Sequence, residues 1–472
     1  MNSNNNSPYI LNSSIVFSLL SFTACAANGN GVSAEIKPNI VLINIDDMGW
    51  RDVGFMGSEY YVTPNIDKLA SQGMIFTQAY AAASNCAPSR ACLMSGQWTP
   101  RHGIYTVKDS ERGNSKDRKL IPIPNNEYLK DDILIIPEVL KHAGYTTCHA
   151  GKWHLTNDPL LRGFDVNIGG SHAGSPGSYY PPYTKVPLKA PSDDYYLTNL
   201  IMDKTLDFVK SVQDKPFFLN YSPYAVHTPI QPVKNLLPKY ENKAEWNGQN
   251  NAEYATMIEN LDTQIGRLVD LLTETDKIDN TFILFTSDNG GVYKITKQWP
   301  LRAGKGSYYE GGIREPMFVF WKGKIPAGTK TYVPVTNLDF FPTILDVAGI
   351  ATPTDKVLDG NSILPVLTGN GTIGERLLFW HFPIYLGGGN RETQDPVFRT
   401  RPGSAIRLGD WKLIQYFENG DLELYNLKED IGEKNNLTQT NTGKTKELLD
   451  LLEKWRNETN APVPNELNPD FR

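Results

Sequence analysis

The sequence is poor in several features that define large protein classes. Its 472 residues include 4 cysteines, and 46 Lys and Arg residues stand against 52 Asp and Glu residues, for a net charge of −6. Nucleic-acid-binding domains normally carry a basic surface, so this mild acidity argues against a nucleic-acid partner. Beyond the N-terminus, no segment has the roughly 18 consecutive apolar residues that a membrane-spanning helix requires. Hydrophobic residues form 40% of the chain, which excludes disorder and supports a large buried core.

Charged residues are absent from the first 34 positions, where residues 15–24 form a mostly apolar run. An apolar run followed by small residues is typical of a secretory leader, although Lys and Arg are missing before it. Residues 22–25 (Phe-Thr-Ala-Cys) resemble a bacterial lipobox, with Phe where Leu is usual. We therefore expect residues 1–36 to be a leader and tether. The protein is expected to be exported to the periplasm or anchored at the bacterial cell envelope through a lipidated Cys25, with ordinary signal cleavage as the alternative.

Three cysteines remain beyond this leader, at positions 86, 92 and 148. An odd number of thiols cannot form a complete disulfide framework. Cys92 and Cys148 are expected to be buried apolar residues, with a single bridge between them as the alternative.

Nearly continuous apolar runs alternate with amphipathic segments in the first three quarters of the chain. Such runs are typical of strands buried on both faces of a sheet. Buried strands are predicted at residues 39–45, 217–221, 281–286 and 317–321. Residues 138–143, framed by a proline and a glycine, and the apolar face of residues 257–272 predict helices. This alternation predicts an α/β domain over residues 37–370, with helices on both sides of the sheet and ligands at the carboxyl ends of its strands.

The pattern changes near residue 370. Short runs at residues 404–416 and 422–427 flank a Glu-Asn-Gly-Asp turn and predict antiparallel strands. An apolar stripe at residues 448–455 predicts an amphipathic helix. Residues 371–472 are therefore expected to form a smaller α+β subdomain.

Acidic residues follow two of the predicted core strands. Asp46 and Asp47 come after the first strand, and Asp288 and Asn289 come after the strand at residues 281–286. Carboxylates that lie close together raise each other's pKa, and a hard divalent cation with oxygen ligands relieves the repulsion. These strand ends predict a calcium or magnesium site, with surface turns as the alternative.

Residues 86–96 carry the most specific pattern in the chain, Cys-Ala-Pro-Ser-Arg-Ala-Cys-Leu-Met-Ser-Gly. Pro88 predicts a helix start and Gly96 its end, which places Cys86 beside a positive helix N-terminus, a natural anion site. The stretch resembles the sulfatase signature Cys-x-Pro-Ser-Arg-x-x-Leu-x-Thr/Ser-Gly at every fixed position. In that family a separate maturation enzyme oxidises the cysteine, so the resemblance implies formylglycine at Cys86. The alternative is a buried cysteine that precedes a helix.

The resemblance extends over residues 37–457 and implies an alkaline-phosphatase-like fold. That fold is a mixed sheet flanked by helices, with a smaller C-terminal α+β subdomain. Further segments that match the family are residues 39–47, 99–103, 151–154, 225–229, 287–290, 304–306, 310–316, 410–414 and 423–427. The catalytic residues implied by the resemblance are Cys86, Arg90, Lys152, His154, His227 and Lys305. The implied Ca²⁺ ligands are Asp46, Asp47, the modified Cys86, Asp288 and Asn289.

The resemblance also implies a reaction, the hydrolysis of sulfate monoesters. The hydrated formylglycine would attack sulfur, with Asp288 as the proton acceptor. His227 would protonate the leaving group, and His154 would take the remaining hydroxyl proton so that sulfate departs. The cations that would surround the sulfate charge are Arg90, Lys152 and Lys305.

The expected substrate is a sulfated polysaccharide or oligosaccharide, because export beside a cell envelope favours scavenging of external polymers. Aryl and choline sulfates are the alternative substrates. The other expected partner is a formylglycine-generating enzyme or an anaerobic sulfatase-maturating enzyme. Two alternatives stay open: a phosphonate or phosphodiester hydrolase with the same motif, and an inactive carbohydrate-binding relative. The matching lysines and histidines favour a sulfatase.

Some residues near the expected site have no assigned role. Ser171 and His172 both lie where many sulfatases have a sulfate-binding serine. His102, His172 and His381 are expected in loops on the active face. The aromatic residues 179–183 are expected either to stack on sugar rings or to form a stiff surface loop.

Overall fold

A nine-stranded mixed sheet is the centre of the computed structural model, which describes residues 37–472. Its strands are β1 (Asn39–Ile45), β2 (Met74–Tyr80), β3 (Thr146–Gly151), β4 (Val166–Ile168), β5 (Phe217–Ser222), β6 (Thr281–Ser287), β7 (Arg314–Phe320), β8 (Thr329–Thr331) and β9 (Val335–Thr336). Their order is β4-β3-β5-β1-β6-β7-β2-β8, and β9 pairs with β2. Strands β3, β5, β1 and β6 are parallel neighbours, so their carboxyl ends meet at one edge.

The predicted core strands are present. All seven residues of β1 are buried, as are all seven of β6, because helices cover both faces of the sheet. The predicted strand at residues 317–321 begins earlier, at Arg314, and ends before Trp321. It runs antiparallel to both β6 and β2, which makes the sheet mixed.

Ten α-helices are described. They are α1 (Pro64–Ser71), α2 (Cys86–Ser95), α3 (Thr99–His102), α4 (Ile136–His142), α5 (Leu197–Ser211), α6 (Ala252–Glu274), α7 (Glu310–Ile313), α8 (Phe340–Val347), α9 (Leu364–Leu367) and α10 (Thr442–Thr459). Helices α1, α5 and α6 pack on one face of the sheet, and α2, α4 and α8 pack on the other. The predicted apolar face of α6 is buried, except that Val269 is half-buried.

A second sheet has the order β10-β13-β14-β15, and a two-stranded sheet pairs β11 with β12. The strands are β10 (Leu377–Phe382), β11 (Leu386–Gly387), β12 (Phe398–Thr400), β13 (Gly403–Leu408), β14 (Trp411–Tyr416) and β15 (Leu422–Asn426). The predicted meander and helix are confirmed; β10 was not predicted. Helix α10 covers the second sheet, and Trp455 stacks on Phe379 with ring centroids 4.5 Å apart. Residues 37–472 form one compact unit, and the domain boundary near residue 370 stays a prediction.

Buried charges tie the second sheet to the first. Lys412 on β14 lies 3.0 Å from a carboxylate oxygen of Glu310 on α7 and 2.8 Å from one of Glu433. All three side chains are 0% exposed. The Tyr80 hydroxyl on β2 donates to Glu310 at 2.7 Å. Because each buried charge has a partner, this cluster holds the C-terminal region in one position against the large sheet.

Cys86, Cys92 and Cys148 are buried free thiols, so no bridge joins Cys92 to Cys148. Among the described residues, no helix is long and apolar enough to cross a membrane. The leader and the lipidation expected at Cys25 lie outside the described residues.

Substitutions in the buried charge cluster are expected to change the free energy of unfolding. Lys412→Met leaves buried Glu433 without its cation and Glu310 with Arg314 alone, and should lower the free energy of unfolding by about 3–5 kcal/mol. Adding Glu433→Gln removes one of these charges and should recover part of the loss. Urea denaturation followed by circular dichroism measures both effects. The matched control is Lys446→Met: the Lys446–Asp450 pair is exposed, so its loss should leave the unfolding midpoint close to that of the wild type. Equal unfolding midpoints for Lys412→Met and Lys446→Met would contradict this account.

Candidate active site

The acidic strand ends converge at the carboxyl edge of the large sheet. Strands β1 and β6 pair in register with Ile45 opposite Ser287, so the next residues, Asp46 and Asp288, emerge beside each other. The backbone N–H of Asp47 donates to Oδ1 of Asp288 at 3.2 Å. The structure thus brings together the two acidic pairs that lie about 240 positions apart in the sequence.

Two buried cations neutralise these carboxylates. Lys152 follows β3 directly, and its Nζ lies 2.8 Å from both carboxylate oxygens of Asp46. Arg90 Nε donates to Oδ2 of Asp288 at 2.8 Å, and its Nη1 donates to Oγ of Ser222 at 2.6 Å. Burial alone would raise the pKa of Asp46, but Lys152, His227 and Arg90 hold it below its ordinary value. Burial raises the pKa of Asp288 to about 7, although Arg90 opposes the shift.

Cys86 is the first residue of α2, at the positive end of the helix. The Asn85 side chain caps this helix by accepting the Cys86 N–H at 3.1 Å. The Cys86 sulfur lies 3.2 Å from Nζ of Lys305, which also pairs with Asp47. Burial opposes ionisation of the thiol, but the charges of Lys152 and Lys305 outweigh it and hold the pKa of Cys86 well below its usual value. The surroundings of position 86 therefore stabilise a negative charge there.

An unusual backbone conformation at His154 holds this residue close to Cys86. Its φ of 68° lies in the left-handed region, which non-glycine residues adopt rarely and mainly at functional sites. Its N–H donates to the carbonyl oxygen of Ser171 at 3.0 Å. A Cβ on Gly174 would lie 2.5 Å from the His154 ring, so glycine is required there. Burial lowers the pKa of His154 to about 4, which keeps the ring neutral near pH 7 and able to accept a proton.

His227 has the opposite environment. Its Nδ1 donates to the carbonyl oxygen of Thr228 at 2.7 Å, and its Nε2 lies 3.6 Å from Oδ2 of Asp47. Burial lowers its pKa, but Asp46 and Asp47 outweigh this effect and raise the pKa of His227 above its ordinary value. The Tyr179 hydroxyl donates to the carbonyl oxygens of Tyr224 and His227 at 2.5 and 2.8 Å. The aromatic residues 179–183 therefore pack beneath the His227 segment, which favours the structural alternative for them over sugar stacking.

Oxygen-donating side chains in this cluster fit a hard cation. Oδ2 of Asp47 and Oδ1 of Asn289 are buried and have no hydrogen-bond partner. Donor atoms of Asp46, Asp47, Cys86 and His227 lie within 4.8 Å of one another. Asp47 also adopts a left-handed φ of 62°. Carboxylate and amide oxygens are calcium or magnesium ligands, and a cation among them would relieve the repulsion of the carboxylates. Since Lys152 holds both oxygens of Asp46, that residue would have to share one of them with the ion.

A cleft of about 620 Å³ opens over this cluster. Cys86, His154, His227 and Lys305 line it, together with His172 but not Ser171. Sequence reasoning missed the other cations on its wall, which are Lys108, Arg112, Lys185 and Arg399. No local motif marks these residues, because they come from separate loops and from β12.

Two histidines expected in loops on the active face are elsewhere, and that expectation was wrong for them. His102 ends helix α3, is buried, and has its Nε2 3.4 Å from the Cys92 sulfur. His381 lies within β10, where its ring nitrogens contact Ser404 Oγ and the carbonyl oxygen of Pro462. Burial lowers the pKa of both histidines to about 3, as expected for neutral structural residues.

Comparisons with known proteins agree with this geometry. The family model described as Sulfatase matches residues 38–350, and the one described as N-sulphoglucosamine sulphohydrolase, C-terminal, matches residues 304–459. A sulfatase of Formosa agariphila is 33% identical over 95% of this chain and 92% of its own length. The N-acetylgalactosamine-6-sulfatase of Sus scrofa is 34% identical over 75% of this chain and 71% of its own.

A solved structure extends the similarity to three dimensions. The crystal structure of Ps i-CgsB in complex with k-i-k-neocarrahexaose superposes with a TM-score of 0.74 at 30% identity, over 92% of this chain and 95% of that one. The mixed sheet, its flanking helices and the small antiparallel C-terminal sheet form the alkaline-phosphatase-like architecture expected from the sequence. The chain therefore belongs to the sulfatase family and is a sulfuric ester hydrolase.

Proposed function

We propose that this sulfatase hydrolyses sulfate monoesters on a polysaccharide or oligosaccharide, with Ca²⁺ and a formylglycine made from Cys86. The observation that carries the proposal is the placement of Cys86, at a helix N-terminus and 3.2 Å from Lys305, at the base of an open cleft. A carbohydrate substrate is supported by the relatives, since one is named for N-acetylgalactosamine and another is bound to neocarrahexaose.

The implied groups fit the cluster described above. Asp46, Asp47, Asp288, Asn289 and residue 86 would hold the calcium ion. When present, calcium supplies positive charge to the sulfate oxygens, and hydrated formylglycine supplies a hydroxyl nucleophile whose second hydroxyl permits release of sulfate.

The chain's own cations bind and orient the sulfate group. Lys305 contacts the sulfur of Cys86, and Lys152 adds a second positive charge close enough to shift the pKa of that thiol. Arg90 lies one turn into α2 and holds Asp288, which therefore stays beside position 86. Sulfate transfer builds negative charge on the leaving oxygen, and fixed cations in a buried site stabilise such charge strongly.

The histidines divide the proton transfers. His227 lies on the cleft wall, where it donates a proton to the oxygen of the departing sugar. His154 is buried and interacts directly with the Cys86 side chain, so it takes a proton from the residue at position 86. Asp288 serves as the proton acceptor during the attack. This division follows general acid–base catalysis, in which each group needs both reach and the correct protonation state.

We also propose that the protein is exported and acts in the periplasm or at the cell envelope. The uncharged residues 1–34 and the lipobox-like residues 22–25 support this location. An intact mass measured on protein from its own host tests it, since an unprocessed Met1 in a cytoplasmic fraction would contradict export.

The reaction itself is tested with enzyme co-expressed with a formylglycine-generating enzyme. We expect release of sulfate from members of a panel of sulfated oligosaccharides, and much slower hydrolysis of matched phosphate and phosphonate esters. Cys86→Ala should lower the rate by at least about 10⁴-fold, because it removes the nucleophile. Cys92→Ala is the matched control: it also removes a buried sulfur from α2, but one that faces His102. Full multiple turnover by protein whose peptide mass shows only unmodified Cys86 would contradict the proposal.

Calcium removal should abolish activity and lower stability. Chelation leaves buried Oδ2 of Asp47 and Oδ1 of Asn289 without a partner, and an ion at about 100 times its Kd contributes about 2.7 kcal/mol to folding. Asp47→Ala should reproduce the effect of chelation on activity and should no longer respond to added calcium. Thermal unfolding and sulfate release, each with and without chelator, measure this. Asp346→Ala, at an exposed position on α8, is the control. Normal turnover by Asp47→Ala in chelator would refute the metal assignment.

His227→Asn should slow substrates according to their leaving group. General acid catalysis contributes about 10²–10⁴-fold for a poor leaving group such as a sugar alcohol, and far less for 4-nitrophenol, which departs without a proton. The ratio of kcat/KM values on a sugar sulfate and on 4-nitrophenyl sulfate measures this selectivity. His172→Asn is the matched control on the same cleft wall. An equal loss on both substrates would show that His227 binds or positions the substrate instead of donating a proton.

A further inference from the structure

The cleft over Cys86 is basic in a chain whose net charge is −6. Within the described residues, Asp47 is the only acidic residue on the cleft wall, and Lys305 already pairs with it. The other lysines and arginines on the wall are Lys108, Arg112, Lys185 and Arg399. The single charge of one sulfate monoester does not account for this excess, because Lys152 and Lys305 already face the nucleophile.

Two of these cations are arginines held only by backbone carbonyls. Arg399 Nε donates to the carbonyl oxygen of Gly387 at 3.0 Å, and its Nη1 donates to that of Lys305 at 3.5 Å. Arg112 donates to the carbonyl oxygen of Val107. Across residues 37–472 neither arginine forms an ion pair, whereas nearby Arg401 pairs with Asp395 and Glu418. Because a guanidinium has five N–H donors, both arginines keep donors for a ligand in the cleft.

The two arginines also lie on neighbouring stretches of the cleft wall. A Cβ on Gly113, next to Arg112, would lie 2.8 Å from the ring of Phe398, next to Arg399. Burial lowers the pKa of Arg399, Asp47 opposes this shift, and the charge of Arg112 adds to it. Arg399 is fixed by β12, and a Cβ on Gly306, next to Lys305, would lie 3.6 Å from its Cδ. Two like charges near a cleft are relieved by an anion that binds both, and a guanidinium matches sulfate or carboxylate geometry in particular.

We infer that Arg112 and Arg399 form a second oxyanion subsite, which binds a sulfate or carboxylate of the substrate other than the sulfate that is hydrolysed. The inference rests on the proposed sulfatase activity at Cys86 and narrows its substrate to carbohydrates with at least two anionic groups. Lys108 and Lys185 are exposed and add to the field that draws a polyanion into the cleft.

Binding by unreactive protein tests the subsite directly. In a Cys86→Ala background, calorimetry compares three galactose-based disaccharides: one with a single sulfate, one with two sulfates, and one with a sulfate and a carboxylate. We expect at least one of the dianions to bind about 10- to 100-fold more tightly than the monoanion, as charged hydrogen bonds allow. Whichever dianion is preferred identifies the second group as sulfate or carboxylate. Its affinity should also fall more steeply with added salt.

Variants assign the preference to the two arginines. Arg112→Gln and Arg399→Gln should each remove most of the preference for the dianion, and Arg399→Lys should restore part of it. Arg391→Gln, an exposed arginine that does not line this cleft, should leave the preference unchanged. Equal binding of all three disaccharides would overturn the inference. So would an equal loss on all three in the glutamine variants, because the arginines would then act on the hydrolysed sulfate or on the shape of the cleft.

Matured enzyme separates this inference from the proposed function. If the wild-type enzyme releases sulfate from these or other sulfated sugars but shows no preference for a dianion in kcat/KM, the subsite is wrong and the activity stands. If no sulfate ester is hydrolysed while the dianion preference in binding persists, the proposed function fails and the subsite stands.

Discussion

Charge compensation at the carboxyl edge of the large sheet is the constraint on which the rest of the site depends. Three carboxylates, Asp46, Asp47 and Asp288, are at most 3% exposed, and Arg90, Lys152 and Lys305 pair with them. Burial of an unpaired charge is so costly that neither set could stay in place alone. The parallel strands provide the fixed spacing, because they end at one edge and their register leaves little freedom to the residues that follow.

The same principle connects the C-terminal region to the large sheet. Lys412 joins Glu310, next to β7 of the large sheet, to Glu433 in the C-terminal region, and all three side chains are excluded from water. This link sets the position of the small sheets and therefore that of Arg399, which β12 carries into the cleft. The C-terminal region thus builds one wall of the cleft, opposite the residues that follow the strands of the large sheet.

Two histidines of the site acquire opposite protonation preferences from their surroundings. His154 is enclosed and has little stabilising negative charge, so its neutral form is favoured. His227 faces Asp46 and Asp47, which favour its charged form. Environments that push the pKa values of two similar groups apart allow one site to use both an acid and a base.

Patterns among residues close together in the sequence predict many of the strands and helices of this protein and several residues of the candidate site. The buried strands β1, β5 and β6 follow from continuous apolar runs. Pro88 and Gly96 predict helix α2, which begins two residues before Pro88, at Cys86, so the position of Cys86 near a helix N-terminus was predictable. The residue pairs Asp46–Asp47 and Asp288–Asn289 were recognisable because each directly follows such a strand.

The antiparallel direction of β7 and the position of β10 were not recognisable from the sequence, since the direction and the partner of a strand are set by packing between distant segments. Only the tertiary structure decided that His102 and His381 are buried, that His172 lines the cleft and Ser171 does not, and that Arg112 and Arg399 line the same cleft. The physical reason is that the secondary structure of a residue depends mainly on its neighbours in sequence. The exposure and the contacts of its side chain depend on residues that can be hundreds of positions away.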